Sequence, residues 1–123
     1  MGEIMPKRKI KAIIENSDNK VITTTTAIYQ DKIIKYKEDD NSTVVYNYKK
    51  HKLTRENTEI KIEYIFSEGN ETTGLLFIKE LIKTININIK TKKIEEDKIN
   101  CLIEFEIDKE KFKYKIEAIK WVY

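Results

Sequence analysis

Apolar residues recur at every second position along most of this chain. That period of two restricts it to extended strands, each with one dry face and one wet face. Ile10, Ala12 and Ile14 alternate with Lys9, Lys11 and Ile13, and Val44, Tyr46 and Tyr48 with Val45, Asn47 and Lys49. Ile60, Ile62, Tyr64 and Phe66 continue the pattern, and Ile85, Ile87 and Ile89 stand out plainly against Asn86, Asn88 and Lys90. Cys101, Ile103, Phe105 and Ile107, then Phe112, Tyr114, Ile116 and Ala118, complete it. A single wet face favours antiparallel pairing, because parallel sheets are usually covered on both sides.

Short polar breaks separate the runs. Asn16 to Asn19, Glu38 to Asn41, Ser67 to Asn70, Glu95 to Asp97 and Asp108 to Glu110 read as hairpin loops. Pro6 is the sole proline, so strands can run unbroken in mid-sheet. Thr23 to Thr26 form a β-branched stretch suited to a strand, and the spacing leaves open which face turns inward. Leu75 to Lys83 is ambiguous: Leu75, Ile78 and Ile82 fall near helical spacing, but we read a strand followed by a bend. About nine or ten consecutive strands predict a meander, and a long meander closes because closure removes its exposed edges. The expectation is an all-β, antiparallel meander closed into a barrel of about eight to ten strands. One domain spans residues 1–123, with a flexible tail over residues 1–6.

Composition narrows the function classes. At 123 residues and 14.7 kDa the chain supports one ordinary domain. The single cysteine, Cys101, excludes an internal disulfide and any multi-cysteine metal site, and it fits a reduced, cytoplasmic protein. No apolar run approaches the roughly 18 residues of a membrane span, and the start lacks a signal-peptide core. Gly2 fails the myristoylation pattern because Pro6 stands where Ser or Thr is needed. Asn41-Ser42-Thr43 and Asn70-Glu71-Thr72 match glycosylation acceptors in spelling only. Of 24 basic residues only Arg8 and Arg55 are arginines, a bias typical of AT-rich coding sequence, which weakens any functional reading of the lysines.

In strand order the chain resembles the YwiB-like family of small, uncharacterised bacterial proteins. The resemblance runs from about Lys9 to Ala118, with its best local match from Ile85 to Ile94, the acidic turn after it and the paired final strands. It implies a calycin-like, lipocalin-related barrel and no established activity. Arg55 falls where the family places an arginine two residues before a glycine, with Asn57 standing for that glycine. Ile78, Glu80 and Lys83 replace the family's aromatic, threonine and glycine, and the Gly-X-Trp of true lipocalins is missing because the only tryptophan is Trp121.

No set of residues converges on catalysis. His51 sits among Lys49, Lys50 and Lys52 and reads as a solvated loop histidine; Cys101, on an apolar-alternating face, reads as an inert core thiol. Ser17, Ser42 and Ser67 lie in turns without a nucleophile elbow, and Glu63, Glu104, Glu106 and Glu117 fall on wet faces. Neither a metal site nor a cofactor is expected. Two sets remain. Tyr46, Tyr64, Phe105 and Tyr114 lie on inward runs, where they fill the core or grip a small apolar or amphipathic ligand. Lys49, Lys50, Lys52 and Arg55 form a basic hairpin that could contact RNA or a protein partner. The first reading is preferred: a non-catalytic, ligand-binding barrel. The interleaved acidic residues disfavour nucleic acid, no membrane partner is expected, and a homodimer is left open.

Overall fold

The computed structural model describes residues 6–119. The tail expected at the N-terminus therefore lies outside the described residues except for Pro6, and Trp121 lies outside them too. Pro6 is tied in, its carbonyl accepting from the Tyr29 amide at 2.9 Å.

Ten strands follow in chain order: β1 (Lys7–Glu15), β2 (Lys20–Gln30), β3 (Ile33–Lys37), β4 (Thr43–Asn47), β5 (Lys52–Glu56), β6 (Ile60–Ile65), β7 (Glu71–Ile78), β8 (Lys83–Asp97), β9 (Asn100–Ile107) and β10 (Glu110–Ala118). Each pairs antiparallel with its neighbours, and β1 pairs with β10 to close the barrel. No helix forms among the described residues, so none could cross a membrane. The turns β2–β3, β4–β5, β6–β7 and β8–β9 lie at one end, here the lower end; the other five lie at the upper end.

The alternation predicted from sequence is the inside-outside alternation of the barrel. Ile10, Ile34, Val44, Leu53, Ile89, Ile103 and Ile116 are fully buried, and the lysines and glutamates between them face out. Burying one such side chain stabilises the fold by about 1.5–3 kcal/mol. The threonine stretch resolves by register: Thr23 opposite Ala12 is buried and Thr25 opposite Ile10 half-buried, while Thr24 and Thr26 face solvent. Leu75 to Ile78 belong to β7, as expected, and the bend follows at Lys79–Ile82. Its last residue, Ile82, has φ 47° and is 84% exposed, a conformation that β-branched residues rarely adopt.

Two features depart from the sequence expectation. The acidic stretch Glu95 to Asp97 is not a loop: β8 continues through it, and the turn falls at Lys98 and Ile99. The register also slips between Thr91 and Lys93, a β-bulge that leaves Lys92 unpaired. Before the bulge the odd-numbered residues Ile87, Ile89 and Thr91 face inward. After it the even-numbered ones do, with Ile94 opposite Ile103 and Glu96 opposite Cys101.

With so little glycine, other residues take the left-handed turn positions. Asp31 and Lys32 both have positive φ (55° and 60°), as do Asp108 and Lys109 (51° and 68°), which suits two-residue hairpins. Asn57 has no positive φ; its side chain accepts instead from the amides of Glu59 and Ile60 (2.8 and 2.9 Å), which ties the β5–β6 turn. A glycine is required at position 74, where a Cβ would stand 2.4 Å from the Glu63 carbonyl oxygen on β6 and 2.8 Å from Ile89 Cδ1. Gly74→Ala must therefore push β6 and β7 apart, an overpacking penalty of about 1–3 kcal/mol. The expected result is a lower urea midpoint, whereas Gly69→Asn at an open left-handed turn position should leave it nearly unchanged.

Candidate functional site

The barrel interior is lined with aromatic rings that touch one another. Tyr64, Phe66, Phe105 and Phe112 form one cluster, with Phe66 and Phe105 at 4.8 Å and Phe105 stacked on Phe112 at 5.3 Å. Tyr29, Tyr46, Tyr48 and Tyr114 form a second, with Tyr46 and Tyr48 edge to face at 4.8 Å. The four inward aromatics named from the sequence, Tyr46, Tyr64, Phe105 and Tyr114, are thus all inside and shared between the two clusters. Tyr46 is 0% exposed and Phe105 and Tyr114 1%, so no space large enough for a water molecule abuts them.

Each buried hydroxyl has a partner, as a dry interior demands. Tyr36 and Tyr114 hydroxyls meet at 2.8 Å, Tyr48 donates to the Ile99 carbonyl (2.5 Å), and Tyr46 donates to Glu96 Oε2 (3.2 Å). Burial pushes Tyr36, Tyr46, Tyr48, Tyr64 and Tyr114 above the ordinary phenol range; the Glu96 charge adds to this at Tyr46, and the Arg55 charge opposes it at Tyr64. Cys101 is buried, and burial pushes its thiol up to about 12 despite a hydrogen bond to the Ile116 backbone, so it is a core thiol.

Near the upper end Arg55 turns inward. Its guanidinium donates to Glu38 Oε1 from Nη2 (2.6 Å) and from Nε (3.2 Å), and the Tyr64 hydroxyl also bonds it. Burial alone would lower the guanidinium pKa, but the Glu38 hydrogen bond and charge hold it above its ordinary value. The basic hairpin set is thereby divided. Lys52 lies on the outer face with its Nζ 3.6 Å from Glu63, Arg55 is committed to Glu38, and only Lys49 and Lys50 keep exposed positions at the turn.

The lower end carries the polar arrangement that the sequence reading missed. His51 is half-buried rather than fully solvated, and its Nε2 lies 2.9 Å from Glu96 Oε1. Glu96 therefore bridges a core tyrosine and a turn histidine across the barrel mouth. It can do so only because the bulge at Lys92 turns it inward. Beside it an open groove of about 630 Å³ runs over β8, β9 and β10, with Leu102 and Ala118 as its accessible apolar side chains and Cys101 and Ile116 buried. Its walls carry Glu95, Glu96, Asp97 and Glu117, with Lys115 bonded to Glu117 at 2.6 Å. That bond holds the Glu117 carboxyl below its ordinary range. Groups of three or more histidine, cysteine or carboxylate side chains disposed to hold a metal ion are absent among the described residues.

A closed, ten-stranded antiparallel meander with a packed aromatic interior defines the class: a YwiB-like barrel. The crystal structure of the YwiB protein from Bacillus subtilis is similar over 93% of this chain and 91% of that one, with a TM-score of 0.57 and 17% identity. The likeness is one of fold. No family model and no curated protein matches the chain in sequence.

Two outcomes follow from the buried polar groups. Glu38→Ala strands a mostly buried guanidinium and should destabilise the protein by about 3 kcal/mol in urea unfolding, with a smaller loss when Arg55→Leu is added to it. The buried tyrosines have folded pKa values above their unfolded ones, so the stability they contribute is fully present below about pH 10 and is lost as pH rises beyond it. Each contributes a slope of about 1.4 kcal/mol per pH unit there. Tyr36→Phe should therefore flatten the fall in urea midpoint between about pH 10 and 11.

Proposed function

We propose that this protein is a non-catalytic, cytoplasmic barrel that binds a small amphipathic ligand. The ligand seats in the groove at the lower end, with the aromatic interior as a rigid support beneath it. The groove itself carries this reading: its volume of about 630 Å³ falls within the roughly 300–1,000 Å³ usual for small-molecule sites. Its accessible apolar side chains are Leu102 and Ala118, and its walls carry four carboxylates, of which Glu95 pairs with Lys93, Glu96 with His51 and Glu117 with Lys115. An apolar body with a cationic head suits that lining. The packing around Tyr46, Phe105 and Tyr114 favours the mouth over the centre.

The outward charges along β9 and β10, Glu104, Glu106, Lys113 and Lys115, support an aqueous setting, since a membrane barrel needs an outward apolar band. Meander order and closure also support the calycin-like relation that the resemblance implies. An alternative role for the basic hairpin has less support, because Lys52 and Arg55 are both engaged elsewhere.

Native mass spectrometry of freshly purified protein tests the reading, followed by titration with a short-chain alkylamine. Saturable binding, lost in a folded Ala118→Phe variant that fills the groove, is the expected result. Equal behaviour of the two proteins, or no saturable binding by the wild type, would remove the reading.

A further inference from the structure

We propose a second site on the same end of the barrel, which takes the phosphate of a small organic phosphate monoester. Three separate turns deliver one lysine each to a groove of about 260 Å³: Lys32 from β2–β3, Lys49 from β4–β5 and Lys98 from β8–β9. Tyr29 and Tyr48 line it with them, their rings perpendicular at 5.6 Å, and Glu96 completes it.

The turns hold these lysines firmly. Lys32 and Lys98 occupy left-handed backbone positions (φ 60° and 57°), and the Lys32 carbonyl accepts from the Tyr48 amide at 2.9 Å. Asn47 Oδ1 accepts from the amides of Lys49 and Lys50 at 3.0 and 3.1 Å, which fixes the β4–β5 turn. The Tyr48 hydroxyl reaches across to the Ile99 carbonyl, locking the turn that carries Lys98 against the tyrosine floor. The groove is thus assembled from rigid parts, although its lysine side chains are long.

The charges favour an anion. Among the described residues, none of the three lysines has a carboxylate within ion-pairing distance. Glu96, the one carboxylate in the lining, has both oxygens occupied, one by His51 and the other by Tyr46. Three ammonium groups less the Glu96 charge leave a net +2 in the lining, which a dianionic phosphate offsets, and the half-buried Tyr29 ring lines the same groove beside the body of the ester. The volume suits a phosphate with a small substituent.

Phenyl phosphate is the probe, followed by NMR titration at low ionic strength, with phenol as the neutral control. Lys32→Asn with Lys98→Asn removes two charges and keeps residues that accept left-handed geometry. Saturable binding confined to the three turns is expected, weakened about tenfold or more by the double variant as two close charges are lost. Lys37→Gln with Lys111→Gln, distant on the outer face, should leave it unchanged. Equal weakening by both pairs, or no saturable shift in the wild type, would overturn the proposal. So would tighter binding of a 5′-phosphorylated oligoribonucleotide with shifts spreading beyond the groove, which would indicate RNA instead. Retained near-native circular dichroism shows that the variant is folded; if it is not, Lys49→Gln alone decides by the same comparison. The Ala118→Phe variant should still bind phenyl phosphate, so this site and the alkylamine groove stand or fall separately.

Discussion

Everything in this structure depends on the pairing of β1 with β10. Nine of the ten strand pairings join consecutive strands through short turns, and such hairpins form locally. The tenth brings Ile10 opposite Ala118 and Glu15 opposite Lys113, and it removes the two edges that an open sheet would expose. It also makes an interior. Without closure the alternating apolar faces would have nothing to bury against, and the rows of isoleucine and tyrosine would lie on one side of a ribbon open to water.

A closed cylinder that narrow imposes a second condition on whatever it encloses. Tyrosine supplies the bulk that fills it but brings a hydroxyl to each position, and every hydroxyl must find a partner away from water. Tyr36 and Tyr114 answer one another in the interior, while Tyr46 and Tyr48 reach to the lower end and Tyr64 to the guanidinium of Arg55. Among the described residues no buried side-chain nitrogen or oxygen is left without a partner. Polar chemistry is thereby pushed towards the ends of the barrel, and the candidate sites are found at the lower one.

One inserted residue links that packing to the site. The bulge at Lys92 reverses which residues of β8 face inward, so that Glu96 rather than Glu95 lies opposite Cys101 and reaches Tyr46 and His51. The same strand then runs on to a turn that sets Lys98 beside Tyr29 and Tyr48. An acidic groove and a basic groove consequently share Glu96 as their common wall.

Much of the fold was legible in the residues themselves. The alternation of Ile10 with Lys11, or of Phe105 with Glu104, states directly which atoms avoid water, and strand geometry converts that into two faces. The Asp-Lys pair held a further signal: it recurs at Asp31, Asp97 and Asp108, and each recurrence falls at a lower- or upper-end turn, including the β2–β3 turn that hydropathy alone does not mark. The site was far less legible. His51 looked solvated because its sequence neighbours are lysines, and Glu95 to Asp97 looked like a loop because acids cluster there. Arg55 looked like surface because only distance in space reveals Glu38 beside it. Local sequence determined the strands, their faces and the dryness of the interior, since those depend on each side chain's own preference for water. Register, the bulge and closure decided which charges meet, because electrostatic partners on different strands are chosen by geometry that no single segment contains.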